Sequence, residues 1–190
     1  MMMEAEFADS LAGRLLLAMP DMPDVRFRRS VIALCAHDRE GALGIALGEP
    51  VIGLGLHELL RTFDIPSEGV ADHAVLAGGP VEVQRGFVLH SADWVGEDSL
   101  DIGEDLMLTA SLEVLRVIGE GTGPKEFVVA LGYAGWGAGQ LEQELAAPGW
   151  FVAQGDPRRL LSIPPEARWA SAFALDGIDP AMLALSSGLA

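Results

Sequence analysis

The residues best suited to chemistry stand in AGGPVEVQRGFVLH, residues 77–90, where two glycines, a proline, an arginine and a histidine lie between apolar runs. Such a set could cradle a phosphate. A Walker loop, however, needs a closing GK[ST], and a dinucleotide loop needs GxGxxG at a strand-to-helix turn; the stretch has neither. Gly78 and Gly79 permit positive φ and Pro80 presets its own φ, so the pattern predicts a turn. An anion-binding concavity of glycine amides is the alternative.

Arg85 and His90 lie towards the end of the same stretch. In a regular strand their side chains project from opposite faces, so we do not expect them to act together. His90 is followed by Ser91 and Asp93, which makes it a candidate acid–base residue. A structural histidine whose hydrogen bonds are satisfied is the alternative.

Cys35 and His37 stand two residues apart in SVIALCAH, residues 30–37. A regular strand would project both side chains to the same side, with Cβ atoms roughly 7 Å apart. A reactive thiolate needs a nearby cation and access to solvent. Because Cys35 lies in an apolar run, the sequence predicts an inert, buried thiol, and a nucleophile is the alternative.

Motifs for a metal, a cofactor or a serine nucleophile are missing from the sequence. The four histidines are well separated and lack HExxH spacing, and the acid-rich GEDSLDIGED does not fit a calcium loop. No GxSxG elbow is present. We therefore predict no metal, no cofactor and no catalytic residues. We expect the acid-rich stretch to be a solvated loop, and a further strand pair within ADWVGEDSLDIGEDLMLT is the alternative.

Four glycines surround two aromatic residues in GYAGWGAGQLEQEL, residues 132–145. Glycine permits close backbone approach and a sharp transition from strand to helix. Glu142 falls in the first turns of the helix, where an acid suits the helix dipole. Tyr133 and Trp136 could line a groove for a partner, and core packing of both rings is the alternative.

Short apolar runs and amphipathic segments alternate along the chain. The patterns predict strands in LLLAM, SVIALCAH, ALGIALGEP, VLAGGPV, RGFVLH, EFVVALGYAGW and GWFVAQGD. They predict helices in GLGLHELLRTFDI, SLEVLRVIGEG and GAGQLEQELAA, and the last helix or two in PRRLLSIPPEARWASAFALDGI. Ser111 is predicted to cap the second helix through its hydroxyl. This mixture indicates an α/β (α+β) fold, a single domain with a mixed, largely antiparallel sheet flanked by helices in three layers. We expect tails at residues 1–10 and 181–190 and one domain at 11–180.

Charge is the strongest compositional signal, because 28 acidic residues stand against 12 basic ones and the formal net charge is −16. Nucleic acid is bound by Lys and Arg, and the densest basic cluster here is only Arg26, Arg28 and Arg29. Nucleic-acid binding is therefore not expected. One cysteine excludes a disulfide framework, and no apolar run has the ~18 residues of a membrane span, so we expect a cytoplasmic protein away from membranes.

Taken in order, several segments resemble the YqgE/AlgH family of bacterial proteins from about Leu11 to Asp179. The segments are GRLLLAMPDMPDVRFRRSVIALCAHDREGALGIALGEP, LAGGPV, RGFVLH, DLMLTASLEVL, ALGYAGWGAGQLEQEL with Trp150, and ARWASAFALDGID. The positions that match the family's motifs are Phe27, Ser30, His37, Gly44, Gly78–Pro80, Gly86, His90, Thr109, Gly132, Tyr133, Trp136, Gly137 and Glu142.

The resemblance implies a compact α/β domain and no settled activity. Some family members carry the label of transcriptional regulators of exopolysaccharide production, although the family has no recognised DNA-binding motif. This chain departs from the family where Gly48-Glu49 precedes Pro50, because the family usually has an Asn and a basic residue there. A polar or anion-binding site built on that pair would be lost or altered here.

These observations favour a non-enzymatic regulatory or binding protein that acts through an unknown protein partner. The expected binding residues are His37, Gly78, Gly79, Pro80, Arg85, His90, Tyr133, Trp136 and Glu142, gathered about a shallow cleft. The alternative is an enzyme for a small molecule, such as a hydrolase, with His90 or His37 as its base.

Overall fold

The apolar runs of the sequence pair across the chain into one ten-stranded sheet. The computed structural model describes residues 10–187, with side chains through residue 184. The strands are β1 (Leu15–Ala18), β2 (Val31–Asp38), β3 (Gly41–Ala46), β4 (Pro50–Gly55), β5 (Ala74–Ala77), β6 (Val81–Ser91), β7 (Leu100–Gly103), β8 (Leu106–Thr109), β9 (Phe127–Gly137) and β10 (Trp150–Ala153). Their order is β10-β1-β2-β3-β9-β6-β8-β7, and β5 joins β4 to β9 beside this path.

The sheet is mixed and largely antiparallel, as the sequence predicted. The β2–β3 hairpin turns where the Asp38 carboxylate accepts from the amides of Glu40 and Gly41. One pairing is parallel: β5 runs beside β9 with Val75 opposite Val129. The long β9 is the centre of the sheet, because β3, β5 and β6 all pair with it.

Five α-helices cover the two faces of the sheet. They are α1 (Leu56–Thr62), α2 (Leu112–Glu120), α3 (Gln140–Ala146), α4 (Arg168–Leu175) and α5 (Pro180–Ser187). Short 3₁₀ helices occupy Val25–Phe27, Pro157–Leu160 and Pro165–Ala167. The expected tail at residues 1–10 lies outside the described chain except for Ser10, and residues 181–187 belong to α5. Among the helices so described, none has the length and apolarity to cross a bilayer.

Three apolar clusters give the predicted three layers. The first packs β1, β2, β6 and β9 against α4, with Phe173 fully buried. The second lies on the other face, where α1 and α2 cover Val75, Val88 and Val129. The third continues that face beneath α3, with Leu141 over Trp136. Alternate residues of each strand therefore serve different layers.

Arg168 fastens α4 to the end of β3. It is 4% exposed, and its guanidinium donates to the carbonyl oxygens of Leu160 at 3.0 Å, Leu47 at 2.7 Å and Leu161 at 3.4 Å. Burial lowers the pKa of Arg168 to about 10, so the group keeps its charge at neutral pH. Removing this side chain would take a donor from each of these carbonyl oxygens, and among the described residues only that of Leu160 would keep another donor, the Ile163 amide.

The start of α2 corrects one prediction. Ser111 is the N-cap residue, but its side chain makes no capping hydrogen bond, and its Oγ is buried without a partner among the described residues. The helix ends where the predicted segment ends, at Gly121, which adopts the left-handed conformation at φ 78°. Such a C-terminal glycine satisfies the last carbonyls without steric cost.

Candidate functional site

The glycines of AGGPV form a backbone crossing, where the sequence predicted a turn. β5 and β6 lie on opposite sides of β9, so the chain between them must pass over that strand. A Cβ on Gly79 would lie 2.0 Å from the Tyr133 carbonyl carbon, and one on Gly132 would lie 2.4 Å from the Gly79 oxygen. The amide of Gly78 donates to Leu131 at 2.8 Å. Gly78 and Gly79 therefore allow close contact between backbone segments. The Gly78 amide is already bonded to Leu131, so it is not free to bind an anion.

His37 is 7% exposed and bonded at both ring nitrogens. The Leu11 amide donates to Nδ1 at 2.9 Å, so Nδ1 carries no proton in that bond and Nε2 is the donor. Nε2 lies 2.6 Å from Oε1 of Glu142, in the first turn of α3. A hydrogen bond from its own backbone amide, and next the bond from His37, lower the pKa of Glu142. The sequence had proposed both residues, and the structure pairs them.

His90 is fully buried, and the direction of each of its hydrogen bonds is fixed. Nδ1 lies 2.9 Å from the Ser91 carbonyl, which can only accept, so Nε2 accepts from the Thr109 hydroxyl at 2.7 Å. Thr109 then accepts from Ser99 at 2.7 Å, and Ser99 accepts from the Gly96 amide at 2.9 Å. Burial lowers the pKa of His90. The imidazole is neutral and has no free nitrogen for a substrate.

The two histidines do not meet in one cleft. His90 lies opposite Phe127 at the start of β9, whereas His37 lies opposite Ala42, which is opposite Trp136 near its end. Nine residue steps of about 3.3 Å separate those positions of β9, so the imidazoles are roughly 30 Å apart along the strand. The expected gathering of both histidines about the glycines is therefore not found.

A β-bulge separates Cys35 from His37 and corrects the prediction that they share a face. The register between β2 and β3 shifts between Leu34 and Ala36, which leaves Cys35 as the extra residue. Cys35 joins the α4-side cluster, while His37 faces α3. The thiol is 3% exposed, and burial raises its pKa to about 12. This agrees with the predicted inert thiol.

Arg85 lies in the exposed first half of β6 on the face of Phe87. Its guanidinium carbon is 5.1 Å from the Phe87 ring centroid, and its Nη1 is 3.4 Å from Glu82. The His90 side chain faces the α2 layer instead, where it contacts Trp94 edge-on at 5.6 Å. The side chains of Arg85 and His90 therefore project from opposite faces of β6, as predicted.

Tyr133 and Trp136 both line one shallow groove of about 440 Å³, which we name the Tyr133 groove. Its lining residues are Ala36, Asp38, Glu40, Gly41, Ala42, Leu43, Val81, Tyr133, Gly135 and Trp136. Trp136 is 9% exposed, and its indole N–H donates to Glu144 at 3.0 Å, so most of this ring packs beneath α3. Tyr133 is half-buried, with its ring edge-on to Phe87 at 5.7 Å.

A second cavity, of about 680 Å³, is lined by the basic cluster that we considered from the sequence only as a nucleic-acid-binding site. Arg26, Arg28 and Arg29 line it together with Gly48 and Glu49. The departure from the family pattern therefore falls on a wall of this cavity. The sequence shows three arginines within four positions of an acidic chain. It does not show that α4 and α5 form the opposite wall of the cavity.

The described residues contain no group of three or more His, Cys, Asp or Glu side chains arranged to hold a metal ion.

Comparison with known proteins gives consistent matches over nearly the whole chain. Residues 15–181 match the AlgH-like family. A UPF0301 protein of Novosphingobium aromaticivorans is 53% identical over 189 residues, which cover 100% of both chains. A UPF0301 protein of Rhizorhabdus wittichii is 49% identical, with 95% of this chain and 97% of that protein covered.

Two solved structures resemble the fold. The solution structure of the AlgH protein from Pseudomonas aeruginosa is 37% identical in sequence and has a TM-score of 0.77, with 96% of this chain and 97% of that chain covered. The crystal structure of a Corynebacterium diphtheriae protein has a TM-score of 0.74 at 22% identity, with 94% of each chain covered, and this second likeness concerns the fold alone.

Proposed function

This chain belongs to the AlgH-like family, and from that premise we propose that it is a non-enzymatic regulatory protein that binds another protein. The regulatory part rests on the label that some members of the YqgE/AlgH family carry. The binding part rests on the chain's own surface, the Tyr133 groove. A buried, unpaired thiol suits a reducing compartment, so we place the protein in the cytoplasm.

The composition of the Tyr133 groove is the observation that carries this proposal. Leu43, Val81 and Tyr133 give it apolar side chains around Gly135, and Asp38 and Glu40 add carboxylates beside them. Aromatic rings with a polar edge are enriched at protein interfaces. The complementary occupant is an extended segment of a partner protein that carries both apolar and basic side chains, because such a segment matches the groove and the net charge of −16.

The bonding of the histidines supports binding over hydrolysis. A general base needs a nitrogen that can reach the proton it removes. In His37 the Leu11 amide occupies Nδ1 and Glu142 occupies Nε2, and in His90 both nitrogens are bonded inside the core. Catalysis by either residue would first have to break hydrogen bonds that hold the fold together.

Filling the groove tests the proposal without removing any contact. Gly135 is exposed and has no positive φ, and a Cβ placed there would lie 3.3 Å from Tyr133 Cε2 and 3.9 Å from Val81 Cγ2. Gly135→Val therefore places methyl groups where the occupant's side chain would sit. We would pan a phage library of extended peptides against the full chain and measure the selected peptides by fluorescence anisotropy.

The expected peptides combine apolar residues with Lys or Arg, and Gly135→Val weakens their binding about tenfold or more. Glu40→Lys has a similar effect, because it reverses a charge at the groove. The matched control is Gly86→Val on the opposite face of the sheet, where a Cβ meets only a Leu131 methyl at 4.0 Å. Peptides that bind Gly135→Val as tightly as the parent protein would exclude this groove.

A further inference from the structure

The second cavity lies between the 3₁₀ segment before β2 and the helices that follow β10. We name it the arginine cleft; its volume of about 680 Å³ is within the usual range for small-molecule sites. One wall carries Arg26, Arg28 and Arg29, and the other carries Trp169 and Ala170 of α4. The Tyr133 groove shares none of these residues, so the two sites are separate.

Two of the three arginines are available for a ligand. Arg26 is occupied, because its guanidinium binds Asp24 through Nε–Oδ1 at 3.0 Å and Nη2–Oδ2 at 2.7 Å. Within residues 10–187, no carboxylate lies within ion-pair distance of Arg28 or Arg29. Both are exposed residues of the cavity wall.

Trp169 holds the second of these guanidiniums in place. The Arg29 guanidinium carbon lies 5.3 Å from the centroid of the Trp169 ring. The ring is itself fixed, since its Nε1 donates to the Ala18 carbonyl at 2.9 Å and its face meets Phe173 edge-on at 5.2 Å. Stacking occupies the face of a guanidinium and leaves its N–H groups, which lie in the plane, free to donate.

The backbone of Arg29 is also held in a costly conformation. Its φ is 55°, in the left-handed region that side chains other than glycine seldom adopt. Such conformations persist where the surroundings impose them, and they concentrate at ligand sites. Arg29 and its neighbour Arg28 both line this cavity.

We propose that the arginine cleft binds a small molecule through an oxyanion, a phosphate or a carboxylate group, held between Arg28 and Arg29. Guanidiniums match the geometry of such groups, and Val25, Pro165 and Ala170 in the cavity lining give the ligand's remaining atoms an apolar surface. Glu49, Glu166 and Asp179 line the same cavity and favour a ligand whose far end donates hydrogen bonds.

The test titrates the full chain with sodium pyrophosphate and, separately, with citrate at low salt, by calorimetry and by the NMR signal of the Trp169 indole. The two probes distinguish a phosphate from a carboxylate ligand. The proposal expects one saturable site for at least one probe, with a shift of the Trp169 signal. Arg28→Gln and Arg29→Gly should each weaken it about tenfold, since each removes a charge-assisted contact.

Arg29→Gly separates binding from folding, because glycine adopts φ 55° without strain and the variant should remain folded. Glu49→Gln should strengthen binding about twofold to fivefold by removing a repulsive charge. The matched control is Arg116→Gln, at an exposed position of α2, and we expect it to leave binding unchanged. The proposal is overturned if neither probe saturates by about 20 mM, or if Arg116→Gln weakens binding as much as Arg28→Gln.

Discussion

A buried histidine lies level with each end of β9, His90 on β6 and His37 on β2, but the surroundings of the two imidazoles differ. At the first end His90 accepts a hydrogen bond from the Thr109 hydroxyl, which accepts one from Ser99, which in turn accepts one from a backbone amide. At the second end His37 spans from the Leu11 amide to Glu142, whose side chain is 44% exposed. His90 is thus bonded only to neutral groups inside the protein, whereas His37 is bonded to a carboxylate at the surface.

The difference shows how similar burial can give two distinct structural roles. His90 ties β8 and the loop at residues 96–99 to the sheet by neutral hydrogen bonds, whose strength does not depend on salt. His37 ties the segment before β1 to α3 through a carboxylate that is partly exposed to water. In both cases the imidazole joins segments far apart in sequence.

The crossing between the two ends gives the largest expected effect. Gly79→Ala places a Cβ 2.0 Å from the Tyr133 carbonyl carbon, and backbone atoms cannot move aside as a flexible side chain can. We expect the free energy of unfolding to fall by at least about 4 kcal/mol, measured by urea denaturation. The control Gly86→Ala, with its nearest neighbour at 4.0 Å, should stay within about 1 kcal/mol of the parent. Equal stability of Gly79→Ala would mean that the strands do not cross as described.

Removing each imidazole compares the two ends directly. His90→Ala deletes a fully buried ring and leaves Thr109 and the Ser91 carbonyl without their partner, so we expect a loss of about 3 kcal/mol. His37→Ala should cost about 2 kcal/mol, because water can reach Glu142 once the ring is gone. The comparison fails if His37→Ala is the more damaging change.

Acid should weaken the His90 end by a smaller amount. Burial lowers the pKa of folded His90 below its ordinary value of 6.5, so the unfolded chain takes up this proton first as the pH falls. The His90 contribution is therefore complete above pH 6.5 and decreases as the pH falls from there towards the folded-state pKa. We expect a lower free energy of unfolding at pH 5.5 than at pH 7, and a shallower pH dependence in His90→Asn. Identical slopes would show that His90 is not buried as a neutral group.

Strand and helix patterns predicted most of the fold, because a short apolar run between turn residues, such as SVIALCAH, is typical of a buried strand. Periodicity could not locate the bulge at Cys35, since an extra residue changes the phase of a strand without altering its composition. The same limit applies to Gly132, whose φ of 76° interrupts β9. It also could not show that β5 and β6 flank β9, because strand order depends on pairing between distant segments.

The candidate sites were predictable only in part. Tyr133 and Trp136 were identified together because glycines surround both, and they do line one groove. The pairing of Glu142 with His37 joins residues 105 positions apart, and no local pattern encodes that distance. The arginine cleft needed both the basic cluster before β2 and Trp169 of α4. Each half was visible in the sequence, but only the fold brings them together.

The central position of β9 has a consequence for how the protein is made. β3, β5 and β6 are all synthesised before Phe127, so each leaves the ribosome without the strand that completes it. Translation at roughly 5–20 residues per second keeps β3 waiting for several seconds. During that interval the nascent chain exposes open strand edges, which are prone to pairing with other chains.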